Sequence, residues 1–367
     1  MTVTIKTAKS ILSNIVQQQL DGKNPPPVFL WGPPGVGKSE SVRETAAEKG
    51  IDIIDIRLGQ MEVVDARGIP YKWEPTKVEK GDKSLAVTKW AIPEFFPQDP
   101  KARIIIFFDE LSTADPAIQV VAYQLLQERR CGAYKLPPHV YVCAAGNGAG
   151  QYAISNSISS ALANRMLHLD VEPDPDTWCK WAVAHDIAPD VIGFIRVSPD
   201  MLFVLEEGES ERGWPSPRSW ANVSNILSYG FADDELFACI EGLVGEAAAA
   251  QFLAFHKHSK GIGDIRAIML DPTAKWKLPD KKDMLYAVAT NLAYWVRRGG
   301  ETVGESEKLI DGFFRIGLQL PATFATVAMV DAMSRENGEA HAQQLAGHER
   351  FAEWQKKFAV NLGGADA

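Results

Sequence analysis

The sequence has little cysteine and no long apolar run. Its four cysteines, Cys131, Cys143, Cys179 and Cys239, are scattered over 367 residues and form no C-x-x-C pair. This spacing favours free thiols in a reducing compartment over disulfides or a metal site. No apolar stretch approaches the roughly 20 residues of a membrane span, and the N-terminus lacks a signal-peptide pattern. We therefore expect a cytoplasmic protein with no membrane partner.

An excess of positive charge is also absent. The chain has 47 acidic and 38 basic residues, which gives a formal net charge of −9. Such a balance argues against nucleic acid as the default partner, although a local basic patch stays open. The candidate patch is a group of lysines interleaved with Glu74, Glu79 and Asp82: Lys72, Lys77, Lys80, Lys83 and Lys89.

One glycine-rich stretch matches the phosphate-binding pattern G-x-x-x-x-G-K-[ST]. It consists of Gly32, Pro33, Pro34, Gly35, Val36, Gly37, Lys38 and Ser39. The apolar run at 28–31 predicts a buried strand before it, and 40–49 predicts a helix that ends at Gly50. In such a loop the backbone N–H groups surround a phosphate, the lysine contacts the β- and γ-phosphates, and the hydroxyl holds Mg²⁺. The context therefore predicts an ATP site rather than a chance glycine turn.

Two carboxylates follow the most apolar strand of the sequence. Residues 104–108 predict a strand buried on both faces, and Asp109 and Glu110 come directly after it. Ligands of open α/β sheets bind at the carboxyl ends of the strands. We therefore expect Asp109 to hold Mg²⁺ through water and Glu110 to polarise the attacking water. The alternative is an ordinary polar loop after a core strand.

Three further strands and several helices complete the pattern. Residues 140–145 predict a strand that ends at Asn147, whose amide is placed to contact the γ-phosphate or the attacking water. A helix at 115–128 ends beside Arg129 and Arg130, for which we favour a helix-dipole contact over a role in another subunit. Residues 51–56 and 166–169 predict strands, and 6–20 and 155–165 predict helices. Beyond Pro173 the patterns are helical: 178–186, 190–197, 219–229, 233–256, 283–297, 306–318 and 351–360.

At five motifs the sequence resembles the AAA+ ATPases and, within them, the MoxR-like group. The stretches 32–39 and 104–110 are similar to Walker A and Walker B, and Ala144–Asn147 to the sensor 1 strand. Residues 161–166, which contain Arg165, resemble the arginine-finger segment, although Asn164 and Met166 replace the usual Asp and Phe. Ser216–Arg218 resembles sensor 2, the fifth motif. In addition, 65–68 resembles the segment before the group's projecting insert. The resemblance extends from about Val28 to Tyr229.

The resemblance implies a P-loop domain with a five-stranded parallel sheet in the order 5-1-4-3-2, flanked by helices and followed by a helical lid. On this basis we expect an N-terminal helix and linker at 1–27 and a nucleotide-binding domain at 28–173 with an insert at 58–97. We expect the lid at 174–258 and a helical extension at 259–367. The insert, with its glycines, prolines and aromatics, is a hairpin or projecting loop, for which a substrate-engaging role and a solvated surface insertion both stay open.

The resemblance also implies a ring, expected to be a hexamer, with ATP and Mg²⁺ bound between subunits. Arg165 would contact the γ-phosphate of the adjacent subunit, and Arg218 would act within its own chain. The implied function is ATP hydrolysis coupled to remodelling a protein partner, often one with a von Willebrand factor A domain. A nucleic-acid motor is the main alternative, and a P-loop kinase or nucleotide-gated adaptor is a third. His256 and His258 are expected to be an exposed helix end rather than a metal site.

Overall fold

A computed structural model describes residues 2–73, 87–148, 163–205, 212–334 and 338–358. The predicted helix at 155–165 lies almost wholly outside these ranges, and so do the lysines at 77, 80 and 83. The chain divides into two compact units, Met1–Glu172 and Pro173–Ala367, which are described separately. Within the described residues, no helix combines the length and apolar character that crossing a membrane requires.

The first unit contains ten strands among its described residues. They are β1 Thr2–Thr4, β2 Val28–Trp31, β3 Asp52–Arg57, β4 Ile69–Trp73, β5 Val87–Ala91, β6 Ile104–Asp109, β7 Arg130–Cys131, β8 Tyr134–Lys135, β9 Tyr141–Gly146 and β10 Leu167–Glu172. Six form a parallel sheet in the order β1-β10-β2-β9-β6-β3. The predicted order 5-1-4-3-2 is therefore confirmed, because it corresponds to β10-β2-β9-β6-β3.

The prediction of five strands was wrong by one. The additional strand, β1, pairs in parallel with β10 at the edge of the sheet. Its three residues are too few for an alternating pattern to be visible, and only the exposed edge of β10 makes the pairing possible. Burial follows position in the sheet: all six residues of β9 are buried, whereas β3 at the opposite edge is largely accessible.

Helices cover the sheet of the first unit. They are α1 Ile5–Leu20, α2 Lys38–Lys49, α3 Val63–Arg67 and α4 Pro116–Tyr123, and α4 continues into a wider turn at Gln124–Glu128. The side chain of Asp115 caps α4 by accepting a hydrogen bond from the N–H of Ala117. Helix α2 ends at Gly50 in the left-handed conformation, as predicted for a C-cap glycine. The α1 face with period 3.6 is buried, which explains why the sequence predicted this helix.

The expected hairpin is present in the insert. Strands β4 and β5 pair antiparallel from Ile69 opposite Ala91 to Trp73 opposite Val87, and every residue of both strands is exposed. The two strands approach closely at Gly68, where a Cβ atom would lie 1.9 Å from the carbonyl oxygen of Ala91. Cations lie over the aromatic rings, Lys89 over Trp73 and Arg67 over Trp90.

The second unit is helical throughout the described ranges. Its α-helices are α5 Pro175–Ala184, α6 Pro189–Val197, α7 Pro217–Leu227, α8 Asp233–Val244, α9 Glu246–Lys260, α10 Ile265–Leu270, α11 Lys282–Arg298, α12 Val303–Gly317, α13 Ala322–Met333, α14 Gly338–Ala346 and α15 Phe351–Phe358. The prediction of one helix at 233–256 was wrong, because Gly245 at φ 78° ends α8 and precedes α9.

Helix α11 joins the two hydrophobic cores of this unit. Met284 and Ala287 pack in the core formed with α5 to α9, whereas Leu285 and Val288 pack in the core formed with α10 and α12 to α15. A bidentate ion pair also links them: Arg196 on α6 donates to both carboxylate oxygens of Asp331 on α13, at 2.6 and 2.8 Å. The expected lid and the expected extension therefore lie within one compact unit.

Candidate nucleotide site

The glycine-rich loop begins at the carboxyl end of β2. Strands β9 and β6 follow β2 in the sheet, so the ends of all three strands lie at one edge. Gly32 fits closely against β10, since a Cβ atom there would lie 2.5 Å from the carbonyl oxygen of Val171. Gly35 and Gly37 have φ of 82° and 99°, which favour glycine. Pro33 and Val36 are buried, and Pro34 is half-buried. This backbone suits a loop that surrounds a phosphate.

Lys38 is buried at the first position of α2. Its Nζ donates to the carbonyl oxygens of Gly32 at 2.7 Å and Pro33 at 2.9 Å, and contacts Oδ1 of Asn147 at 3.2 Å. The ammonium group thus lies between the loop and the end of β9. The sequence placed both residues at the phosphate, and the structure brings them into direct contact.

A hydroxyl and a carboxylate meet beside this loop. Ser39 Oγ donates a hydrogen bond of 2.6 Å to Oδ2 of Asp109, the last residue of β6. Hydroxyl, carboxylate and water oxygens are the ligands that Mg²⁺ takes at nucleotide sites. The donor set therefore fits the metal predicted from the sequence. Within the described residues, no cluster of three or more His, Cys, Asp or Glu side chains forms a separate metal centre.

Glu110 occupies an uncommon backbone conformation directly after β6. Its φ is 58°, a region that non-glycine residues rarely adopt and that is enriched at functional sites. Local hydrogen bonds hold it there: its N–H donates to Oδ1 of Asp109, and its carbonyl accepts from the N–H of Thr113. The carboxylate is exposed and faces Gly59, where a Cβ atom would lie 3.3 Å from Oε2.

Ser112 supports Asn147 and was missed by the sequence analysis. The serine is buried, and its Oγ accepts a hydrogen bond of 3.1 Å from the N–H of Asn147. Gly146 makes room for this contact, because a Cβ atom there would lie 2.7 Å from the same Oγ. A lone serine after two carboxylates carries no periodic signal, so only the fold reveals its partner.

Arg165 lies near the amino ends of the strands, at the side of the sheet opposite to the glycine-rich loop. It precedes β10, whose first residue Leu167 pairs with Val28, the first residue of β2. The four residues of β2 separate this level from the glycine-rich loop by roughly 13 Å. The guanidinium group is exposed and donates to Oε1 of Gln127 at 2.6 Å. The structure therefore does not bring Arg165 to the loop of its own chain.

The neighbouring arginines have structural partners. Arg129 is at φ 53°, and its guanidinium donates to the carbonyl oxygens of Pro137 and Val140, both at 2.8 Å. Burial lowers the pKa of Arg129. Arg130 forms an exposed ion pair with Glu128. A cavity of about 460 Å³ lies between Arg129 and Arg165; it is also lined by Gln19, Gln127 and Tyr141.

The remaining predicted residues lie in the second unit. Arg218 is in the first turn of α7, which Ser216 caps by accepting from the N–H of Ser219. His256 is half-buried, and its Nδ1 lies 2.5 Å from Oδ2 of Asp190. The prediction of an exposed helix end was therefore wrong for His256, because α9 packs this ring against α6.

Comparison with known families identifies the domain that carries this site. Residues 28–168 match the model of the ATPase family associated with various cellular activities, abbreviated AAA. Residues 28–168 are therefore similar to an AAA-family ATPase domain, and the parallel sheet with flanking helices agrees with that fold. No curated protein matches the sequence.

Solved structures similar to this chain include several of RuvB from Thermotoga maritima. The Holliday junction branch migration motor shares 15% identity, with 72% of this chain and 73% of that chain covered at a TM-score of 0.36. A point mutant of the same protein shares 15% identity and covers 73% and 76%, at a TM-score of 0.39. These likenesses are too distant to bear on what this chain binds.

Proposed function

We propose that this chain is an ATP-hydrolysing subunit of a MoxR-like ring that remodels or activates a protein partner. The observation that carries the proposal is the separation of the catalytic parts within one sheet. Lys38, Ser39, Asp109 and Glu110 converge at one edge, and Arg165 is exposed at the opposite edge. A site that needs all of them takes Arg165 from a second copy.

In this proposal the loop edge binds ATP and prepares water for attack. The N–H groups of the loop and Lys38 bind the phosphates, and Ser39 and Asp109 hold Mg²⁺, Asp109 through water. When bound, Mg²⁺ supplies positive charge to the phosphate oxygens. Glu110 orients the attacking water and accepts its proton, while Asn147, fixed by Ser112 and Lys38, positions the water or the γ-phosphate.

Arg165 supplies the final positive charge to the neighbouring subunit. An arginine added in trans stabilises the charge of the transition state only when two subunits dock, so assembly controls hydrolysis. A repeated head-to-tail contact closes into a ring, for which we expect six subunits. Arg218, from the same chain, would couple the lid to the nucleotide state.

A protein client agrees with the surface of the hairpin. Five large apolar side chains are exposed on its two strands, Ile69 (64%), Tyr71 (45%), Trp73, Val87 and Trp90. A group of exposed apolar side chains, unlike a single one, favours contact with a partner. With the chain's net charge of −9, this surface favours a polypeptide over a phosphate backbone. The family resemblance points further to a partner with a von Willebrand factor A domain.

A Glu110→Gln variant tests the proposal. We expect it to bind ATP, to lose roughly 10²–10⁴-fold of steady-state phosphate release, and to accumulate as an assembly that retains the client. Glu94→Gln, an exposed carboxylate of the same unit, is the matched control. Normal turnover by Glu110→Gln would remove Glu110 from the mechanism. Wild-type turnover that rises sharply with DNA and falls with salt would instead support the nucleic-acid motor.

A further inference from the structure

Three rings on one face of the sheet connect the nucleotide loop with the arginine segment. Trp31, the last residue of β2, stacks on Phe29 with ring centroids 4.1 Å apart. His168, the second residue of β10, lies beside both rings and is 6.1 Å from the indole of Trp31. Neither Trp31 nor His168 belongs to a nucleotide-binding motif, so the proposed mechanism does not use them.

Two hydrogen bonds determine which ring nitrogen of His168 carries the proton. Trp31 Nε1 lies 2.7 Å from Nδ1 of His168, and Nε2 of the same ring lies 2.7 Å from the carbonyl oxygen of Ala163. An indole N–H only donates and a carbonyl only accepts. Both bonds therefore form only with neutral imidazole that carries its proton on Nε2.

His168 thus contacts a neighbour of each functional segment: Trp31, which precedes the loop, and Ala163, which precedes Arg165. Trp31 is bonded to Gly32, the first residue of the loop, and Gly32 itself lies against Val171 of β10. Ala163 precedes Arg165 by two residues. Arg165 has a long, exposed side chain, so the direction in which it extends depends on the backbone that carries it.

We propose that His168 is a positioning residue that fixes the segment carrying Arg165 relative to the loop strand. Through the Ala163 carbonyl it sets where the guanidinium group meets the neighbouring subunit. The inference rests on the proposed function of Arg165 in trans. A misplacement of about 1 Å at a catalytic group can reduce the rate by roughly 10²-fold, so a single lost support is measurable.

Two substitutions separate the two hydrogen bonds. His168→Gln keeps an N–H donor at the distance of Nε2 and can still bond the Ala163 carbonyl. His168→Asn keeps an acceptor near Nδ1 for Trp31 but is too short to contact Ala163. We expect His168→Asn to lower kcat by roughly 10- to 100-fold with unchanged ATP affinity. His168→Gln should retain most of the activity, and both variants should unfold at similar temperatures.

Mixed assemblies then show on which subunit His168 acts. A Glu110→Gln subunit has a disabled loop edge but presents an intact Arg165 to its neighbour. His168→Asn subunits mixed one to one with Glu110→Gln subunits should regain activity at roughly a quarter of the interfaces, since each needs an intact loop edge and a supported arginine. The benchmark level is the activity regained by a one-to-one mixture of Arg165→Ala and Glu110→Gln subunits.

Each outcome decides the inference. Activity regained to the benchmark level supports a role through Arg165. No gain with His168→Asn, where Arg165→Ala does gain, overturns the inference because His168 then acts on its own loop. Full activity of His168→Asn alone also overturns it. Full activity of Arg165→Ala alone refutes the proposed function itself, which keeps the two failures distinct.

Discussion

The parallel sheet has a carboxyl edge, where its strands end, and an amino edge, where they begin. The two edges differ in how many of the predicted site residues find partners within one chain. At the carboxyl edge, Ser39 bonds Asp109 and Lys38 bonds both its own loop and Asn147. At the amino edge, Arg165 is exposed and bonds Gln127, next to a cavity of about 460 Å³. The difference agrees with the proposal that folding assembles the first of these edges and that association between subunits completes the second. Folding alone would then give a protein that binds nucleotide and turns it over slowly.

The largest expected effects come from disabling each edge separately. Lys38→Ala should abolish ATP binding, because it removes the cation that contacts the phosphates. Arg165→Ala should bind ATP normally but lose roughly 10³-fold or more of turnover. Arg130→Ala, which breaks an exposed ion pair, is the control and should stay close to wild type. Nucleotide titration and phosphate release measure the two properties. Impaired ATP binding by Arg165→Ala would contradict the division between the edges.

Gly32→Ala is expected to damage the carboxyl edge through packing. The new methyl group would meet the carbonyl oxygen of Val171 at 2.5 Å, so either the loop or β10 must move. We expect a loss of about 1–3 kcal/mol in the free energy of unfolding together with weaker ATP binding. Gly242→Ala, where a Cβ atom has no neighbour within 4 Å, is the control. Chemical denaturation checks the stability, and unchanged values for Gly32→Ala would show that the loop tolerates displacement.

Gln127→Ala changes the amino edge without removing Arg165 and should have a smaller effect than Arg165→Ala. It removes the amide that accepts from Arg165 but leaves the guanidinium group in place. We expect a decrease in turnover of no more than about fivefold, since water can replace the amide as the partner of an exposed guanidinium group. The measurement is phosphate release at saturating ATP. A loss as large as that of Arg165→Ala would mean that the free chain already holds the arginine in its working position.

The smallest effect concerns the thiols. Cys143 is buried in β9, and burial raises its pKa well above the usual value, whereas Cys239 is half-buried. Since the thiolate is the reactive form, a raised pKa leaves Cys143 unreactive at pH 8. We expect alkylation of the native protein to modify Cys239 first and Cys143 only on unfolding, as peptide mass mapping would show. Early labelling of Cys143 would mean that the carboxyl edge opens readily.

The sequence predicted the features that depend on local patterns. The loop at 32–39 and the two carboxylates at the end of β6 follow from spacing, and the strand order follows from the family resemblance. The edge strand β1 and the break at Gly245 were not predicted. Three residues carry no period, and the helix-forming stretch on each side of Gly245 reads as one continuous helix. Helix α13 was not predicted either, because apolar residues lie on several of its faces and leave no clear amphipathic pattern.

The partners of the site residues could not be predicted in the same way. Ser112, Gln127 and His168 act through contacts between segments that are 35 residues or more apart or on different strands. Such contacts depend on strand register, which no local pattern of side chains specifies. The roles of Glu110, Asn147, Arg165 and Arg218 stay predictions that the variants above test.

Phosphate release from a one-to-one mixture of Arg165→Ala and Glu110→Gln subunits tests the central claim most directly. Each variant alone lacks one half of every site. If ATP is hydrolysed between subunits, the mixture should exceed the sum of the separate variants, and the gain should disappear on dilution. A mixture as inactive as its components, with both proteins folded and binding ATP, would contradict the claim that one chain supplies the loop and the next supplies the arginine.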